Sequence, residues 1–258
     1  MKALVVLKPS ASKRLIGRAV AEMTEVRQAY KQGRIIIAGG TTNAFIVDEL
    51  LDTNIHKGYY TAGIVSDGKL TVTDEDKRLK PISLVNGQPV DQPWNEILND
   101  FTKGDLFIKG ANAIDVDGNV GVIVADRRGG TIGLAYGTVI ARGATFICPV
   151  SIGKLVPDVF AGAAGLGTDA VDLVMGMPVG MIPLSIATVI TEIEAFDLLF
   201  GVMAMHVASA GSNGSEGAVV VLLEGDDEQV RQAYDYVETI QFEPNITLDP
   251  DKDSYKAL

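Results

Sequence analysis

The chain is short of the residues that staple small folds or build metal centres: its 258 residues include one cysteine, Cys148, two histidines and one tryptophan. A single cysteine excludes an internal disulfide and any cysteine-rich zinc cluster. No metal-ligand spacing occurs elsewhere, and neither a metal nor a cofactor is expected. Positive charge is scarce as well, with 22 Lys and Arg against 33 Asp and Glu and a formal net charge of -11. Such a chain repels polyanions, which argues against duplex nucleic acid and anionic membrane as partners. Low-complexity tracts and internal repeats are absent, and MKALVVLKPS lacks the long apolar core of a signal peptide, so a cytoplasmic setting is expected. The one long uncharged run, LVMGMPVGMIPLSIATVIT between Asp172 and Glu192, is broken by Gly176, Pro178, Gly180 and Pro183. Those breakers argue against a membrane helix and for buried irregular chain leading into a core strand over 186–190.

What is present is apolar bulk and glycine: 47% hydrophobic residues and 28 glycines. The length fits one large α/β domain or a domain with an appendage. Strand and helix patterns alternate. Residues 2–7 read as a strand, and from Ser12 the positions Leu15, Ile16, Ala19, Val20, Met23, Val26 and Tyr30 keep helical spacing to Gly33. Residues 59–73 read as a hairpin turned at Ser66-Asp67-Gly68, and PISLVNGQPV as a second turned at Asn86-Gly87. A short helix over 93–101 then leads to the strand DLFIKG. Towards the C-terminus, TVITEIEAF reads as a strand, 196–208 as a helix, SAGSNGSEG as a surface connection or a mobile lid, AVVVLLEG as a strand, and the following segment as a helix. The alternation gives an α/β chain with one domain over residues 1–185 and a small β-α-β-α unit over 186–258.

Three turns carry candidate chemistry. RIIIAGGTTNAFIVDELL, residues 34–51, reads as a buried strand, a Gly39-Gly40 turn and a helix whose first N–H groups are open to an anion. Thr41 or Thr42 is expected to cap that helix. In DLFIKGANAIDVDGN a strand ends at Lys109-Gly110, and Asn112, Asp115, Asp117 and Asn119 follow at its carboxyl end, where open α/β sheets place ligands. Asp117 and Asn119 also suit a plain VDGN turn. In DRRGGTIG, Arg127 or Arg128 beside Gly129, Gly130 and Thr131 could clamp a phosphate or stand as a solvated surface charge.

In this order the three motifs resemble the superfamily of ribose-5-phosphate isomerase, glucosamine-6-phosphate deaminase, the CoA-transferases and the initiation-factor-2B-like proteins, over residues 10–145. The resemblance implies a doubly wound, mainly parallel sheet over residues 1–185, a Rossmann-like phosphate-binding domain, with one pocket formed by Gly39, Gly40, Thr41, Thr42 and Asn43, by Lys109, Gly110 and Asn112, and by Arg128, Gly129, Gly130 and Thr131. It also implies that the C-terminal unit is similar to the small ferredoxin-like subdomain of the isomerases. The departures are equally specific. Both acids of the isomerase "DGADE" turn are missing from Lys109-Gly110-Ala111-Asn112-Ala113, Arg128 stands where a lysine precedes the glycines, and the catalytic glutamate would fall near Gly137. Proton transfer at a sugar carbon needs a carboxylate base, so ribose-5-phosphate isomerisation is not expected. NGSEG at 213–217 resembles a CoA-transferase glutamate motif but lies outside the matching region.

Asp115 is the first candidate for a catalytic carboxylate, followed by Glu194 with Glu192, which strand alternation would set on one face. His56 reads as a surface residue, His206 as a core or interface histidine on a helix, and Cys148 as a buried, inert thiol. The function expected is binding of a phosphorylated small metabolite, such as a sugar phosphate, in a three-loop pocket. The alternative is an enzyme of isomerase, deaminase or transferase type, acting on a sugar phosphate or acyl-CoA with an unusual carboxylate base. A homo-oligomer is expected from the apolar 196–208 segment.

Overall fold

Alternation in Lys2–Leu7 makes the first strand, β1, with Val5 and Leu7 buried and Leu4 and Val6 exposed. Helices α1 (Pro9–Glu22) and α2 (Thr24–Gln32) follow where the spacing predicts one helix. The apolar pattern runs on through Met23, but that residue is extended (φ -56°, ψ 139°), so the backbone breaks where the side-chain period does not. The triple isoleucine forms β2 (Arg34–Ile37), and the Gly39-Gly40 turn delivers α3 (Thr41–Leu51). Two hairpins turn at the expected residues, Asp67-Gly68 and Asn86-Gly87, all with positive φ. They join β3 (Gly63–Ser66) to β4 (Lys69–Val72) and β5 (Ile82–Val85) to β6 (Gln88–Val90). Then come α4 (Trp94–Asn99), β7 (Leu106–Ile108), β8 (Ala113–Ile114), β9 (Val120–Val124), α5 (Gly130–Ala141) and β10 (Thr145–Pro149). A 3-10 turn at Ile152–Lys154, α6 (Val159–Ala163), β11 (Gly180–Leu184) and β12 (Thr188–Ile190) complete the middle of the chain. This computed structural model describes residues 1–248, so the last ten residues of the expected 186–258 unit lie outside the described residues.

The fold is mixed α/β around a six-stranded mixed sheet in the order β12-β10-β7-β2-β5-β6. The first four strands are parallel and β5-β6 is an antiparallel edge hairpin. Ile35, Ile37, Ile108 and Ile147 pack on one face with residues of α1 and α3, while Ile36, Phe107, Phe146 and Cys148 pack on the other with residues of α4 and α5. Burial from both faces is the reason these strands are uninterrupted apolar runs. A smaller antiparallel sheet, β11-β9-β8, stands at the end where β7 and β10 finish.

The C-terminal region differs from its expected reading. TEIEAF is helical: Thr191 Oγ1 accepts from the Ile193 N–H and Glu194 accepts from the Thr191 N–H, a capping box that opens α7 (Glu192–Phe200). Glu192 and Glu194 are thus on a helix, not a strand. Gly201, with φ 66°, ends that helix, and the expected 196–208 helix gives way to β13 (Met203–Ala210). The loop SAGSNGSEG connects it to β14 (Ala218–Glu224), and α8 (Asp227–Ile240) follows. These strands form the antiparallel sheet β1-β14-β13, so the N-terminal strand sits in the C-terminal sheet. His206 belongs to β13 and contacts Ser209 Oγ at 2.9 Å. Residues 172–176 are also not the buried chain expected, Leu173 and Met175 being 92% and 80% exposed, and burial resumes at Val179. Among the described residues no helix is long and apolar enough to cross a membrane.

Candidate functional site

A cavity of about 1010 Å³ opens at the carboxyl ends of β2 and β7. Eleven of the twelve residues expected to bind ligand line it: Gly39, Gly40, Thr41, Thr42, Asn43, Lys109, Gly110, Asn112, Gly129, Gly130 and Thr131. Its size is at the upper end of small-molecule sites.

The turn after β2 is held from below. The Gly40 N–H donates to the Tyr60 carbonyl at 2.6 Å, and Asn43 Nδ2 donates to the Ala38 carbonyl at 2.7 Å and the Ile108 carbonyl at 3.3 Å, stitching β2 to β7. Those bonds leave Asn43 Oδ1 buried and without a hydrogen-bond partner among the described residues. No side chain caps α3, although Thr41 or Thr42 is expected to do so. Gly129 and Gly130 take positive φ (84° and 57°), conformations that favour glycine, and start α5, which is likewise uncapped. Two helix N-termini with open N–H groups therefore face one cavity.

The electrostatics follow the same sense. Among the described lining residues Arg78, Lys109 and Lys154 are cationic and Asp126 alone is acidic, a local surplus of positive charge in a chain of net charge -11. Arg78 is braced by Thr73, to whose Oγ1 its Nε donates at 2.9 Å. Burial pushes the Lys109 ammonium down to about 8 and lowers that of Lys154. Cys148 beneath them is fully buried, and burial pushes its thiol up to about 12.

Several candidates lie elsewhere. Arg128 is not in the cavity wall: its side chain is 83% exposed and lies 4.0 Å from Asp126, while Arg127 pairs with Asp169 at 2.6 Å, also in solvent. Asp115 is a turn anchor away from the lining, accepting from the N–H groups of Asp117, Asn119 and Val159 and from Asn119 Nδ2. Burial opposes its charge, but those donors outweigh it and hold the carboxyl below its ordinary range. Glu194 is spent on its capping box, and Glu192, fully buried, accepts from Ser151 Oγ at 2.5 Å and the Ile152 N–H at 2.8 Å. His56, expected at the surface, is buried, and its Nδ1 accepts from the Tyr59 N–H at 3.2 Å.

Lys154, Arg78 and the β3-β4 hairpin are part of the wall that sequence reasoning missed. None carries a local signal, since each is distant in sequence from the glycine turns. Among the described residues no group of three or more His, Cys, Asp or Glu is arranged to hold a metal ion. The chain matches no protein-family model, no curated protein and no solved structure.

Proposed function

We propose that the chain binds a phosphorylated small metabolite in this cavity, with the phosphate at the start of α3. One observation carries the reading: two uncapped helix N-termini and three cationic side chains against one carboxylate share a single cavity in an acidic protein. Backbone N–H groups at a helix start and ammonium or guanidinium groups are the standard partners of phosphate. The proposal includes membership of the isomerase, deaminase and CoA-transferase-like superfamily, a doubly wound reading of the six-stranded sheet, and a cytoplasmic setting. It also treats β1-α1 with α7-β13-β14-α8 as a ferredoxin-like arrangement, with no last strand among the described residues. A homo-oligomer belongs to it as well, favoured by the exposed apolar side chains Leu4, Val6, Met205 and Val207 on the three-stranded sheet.

The test uses Thr41→Pro. Proline is tolerated at the first helical position, and Gly40 before it is already extended (φ 167°, ψ 142°), so the helix is kept while one N–H donor is removed. Sugar phosphates and inorganic phosphate should raise the melting temperature of the wild type. The variant should bind about tenfold more weakly, the loss of a charge-assisted hydrogen bond. No shift with any phosphorylated compound, or an equal shift in Thr41→Pro, would reject the cradle.

A further inference from the structure

Resting on that phosphate reading, we propose that Lys109 is a nucleophilic amine and that the ligand is a phosphorylated aldehyde or ketone, which Lys109 captures as an imine. Lys109 follows β7 directly and lines the same cavity as both helix starts. Its Nζ meets the Gly110 carbonyl at 3.4 Å, and no carboxylate lies within ion-pair distance of it among the described residues. Lys154 enters from the 3-10 turn and is tethered, its Nζ donating to the Ala111 carbonyl at 2.7 Å. Two ammonium groups in one cavity repel, and the repulsion is relieved when the less tethered one releases its proton.

The surrounding groups leave that repulsion unbalanced. Burial, with the Lys154 charge added, pushes Lys109 down to about 8. The Cys148 thiol beneath is neutral at pH 7. Glu192, which acts on Lys154, already accepts from Ser151 and Ile152, and Lys13 on α1 adds a further positive charge near Lys154.

A second, independent feature points to a hydroxylated ligand. Asn43 lines the cavity, and its Oδ1 is an unpartnered buried acceptor 3.7 Å from where a Cβ on Gly110 would stand. A hydroxyl beside the carbonyl would satisfy it. The chemistry needs no oxidant or reductant. The unprotonated Nζ adds to the carbonyl carbon, the C=O π pair moves to oxygen, that oxygen takes a proton, and the now cationic nitrogen gives one up to solvent, which restores its lone pair. The nitrogen lone pair then expels the oxygen as water after a second protonation, leaving a protonated imine.

The experiment treats the full chain with glyceraldehyde 3-phosphate or with glyceraldehyde in the presence of cyanoborohydride, and maps modified lysines by mass spectrometry. At pH 7 the phosphorylated aldehyde should modify Lys109 at least about tenfold faster than exposed lysines such as Lys31 and Lys69, because the lowered pKa leaves about two orders of magnitude more free amine. Lys154→Met should move the midpoint of the labelling pH profile upward, which a loss of packing alone would not do. Label spread over exposed lysines with Lys109 unmodified overturns the assignment. The two readings fail differently. If both aldehydes reach Lys109 and inorganic phosphate does not compete, the phosphate cradle falls and the amine stands. If inorganic phosphate stabilises the protein but neither aldehyde reaches Lys109, the cradle stands and the amine falls.

Discussion

The six-stranded sheet and the sheet β1-β14-β13 are built from similar apolar strands, yet they are covered differently. In the larger sheet Ile35, Ile36, Ile37 and Phe107 are all fully buried, because helices cover both faces. In the smaller one Val5, Leu7, Val219, Val221 and Leu223 are buried against helices, while Leu4 and Met205 are 58% and 59% exposed on the opposite face. An antiparallel sheet with one bare face ordinarily alternates apolar with polar residues. Here the bare face is apolar too. The contrast separates two roles: the larger sheet anchors a cavity at its carboxyl end, and the smaller one displays a surface.

The largest expected effect probes that difference in burial. Phe107→Ala, which removes a ring packed against Trp94 and Phe146, should cost about 3–5 kcal/mol in denaturant unfolding, whereas Leu4→Ala should change stability by about 0.5 kcal/mol or less in the monomer. Equal losses at the two positions would contradict the contrast.

Next in size is Asp115→Ala, expected to cost about 2–3 kcal/mol because four donor contacts, the one from the Val159 N–H buried and the others half-buried, lose their acceptor. Its folded pKa lies below the unfolded value, so the carboxylate's stabilisation is present above about pH 3.9 and is lost as pH falls through the folded value. Phosphate affinity should be unchanged in this variant. A loss of binding without a loss of stability would return Asp115 to the site.

Lys109→Met sharpens the picture at the cavity. A lysine with a depressed folded pKa opposes folding while it is charged. That cost is fully present below about pH 8 and is relieved as pH rises towards the ordinary value of 10.5. The wild type should therefore gain more stability across that window than the variant, in which Lys13 and Lys154 still contribute, as read from melting temperature against pH. Bound phosphate, by neutralising the ammonium, should narrow the difference.

The smallest effect belongs to the bare face. Met205→Lys should alter monomer stability by about 0.5 kcal/mol or less. By sedimentation it should lower the mass of any oligomer that uses this surface, and an unchanged oligomer would exclude the face as its interface.

Features with purely local causes were legible in the sequence: the alternation of β1, the Asp67-Gly68 and Asn86-Gly87 turns, and the strand, Gly-Gly turn and helix over 34–51. At 191–208 two local patterns compete, the alternation in TEIEAF and the Thr191-x-x-Glu194 capping pattern, and the cap is the one that holds. Arg128 was drawn into the pocket by its adjacency to Gly129. Adjacency does not aim a side chain, and the turn sends this one into solvent. Asp115 sat at the right end of a strand, but its oxygens were claimed by the nearest backbone donors.

By itself, the sequence determined which segments end in open glycine turns and that the chain as a whole is acidic, because both depend on neighbouring residues or on a simple sum. Only the tertiary structure decided that the cavity is positive inside that acidic chain. Arg78, Lys109 and Lys154 come from three distant segments, and the proposed carboxylates are bound elsewhere. A local potential depends on distance and burial, and neither is written in the order of residues.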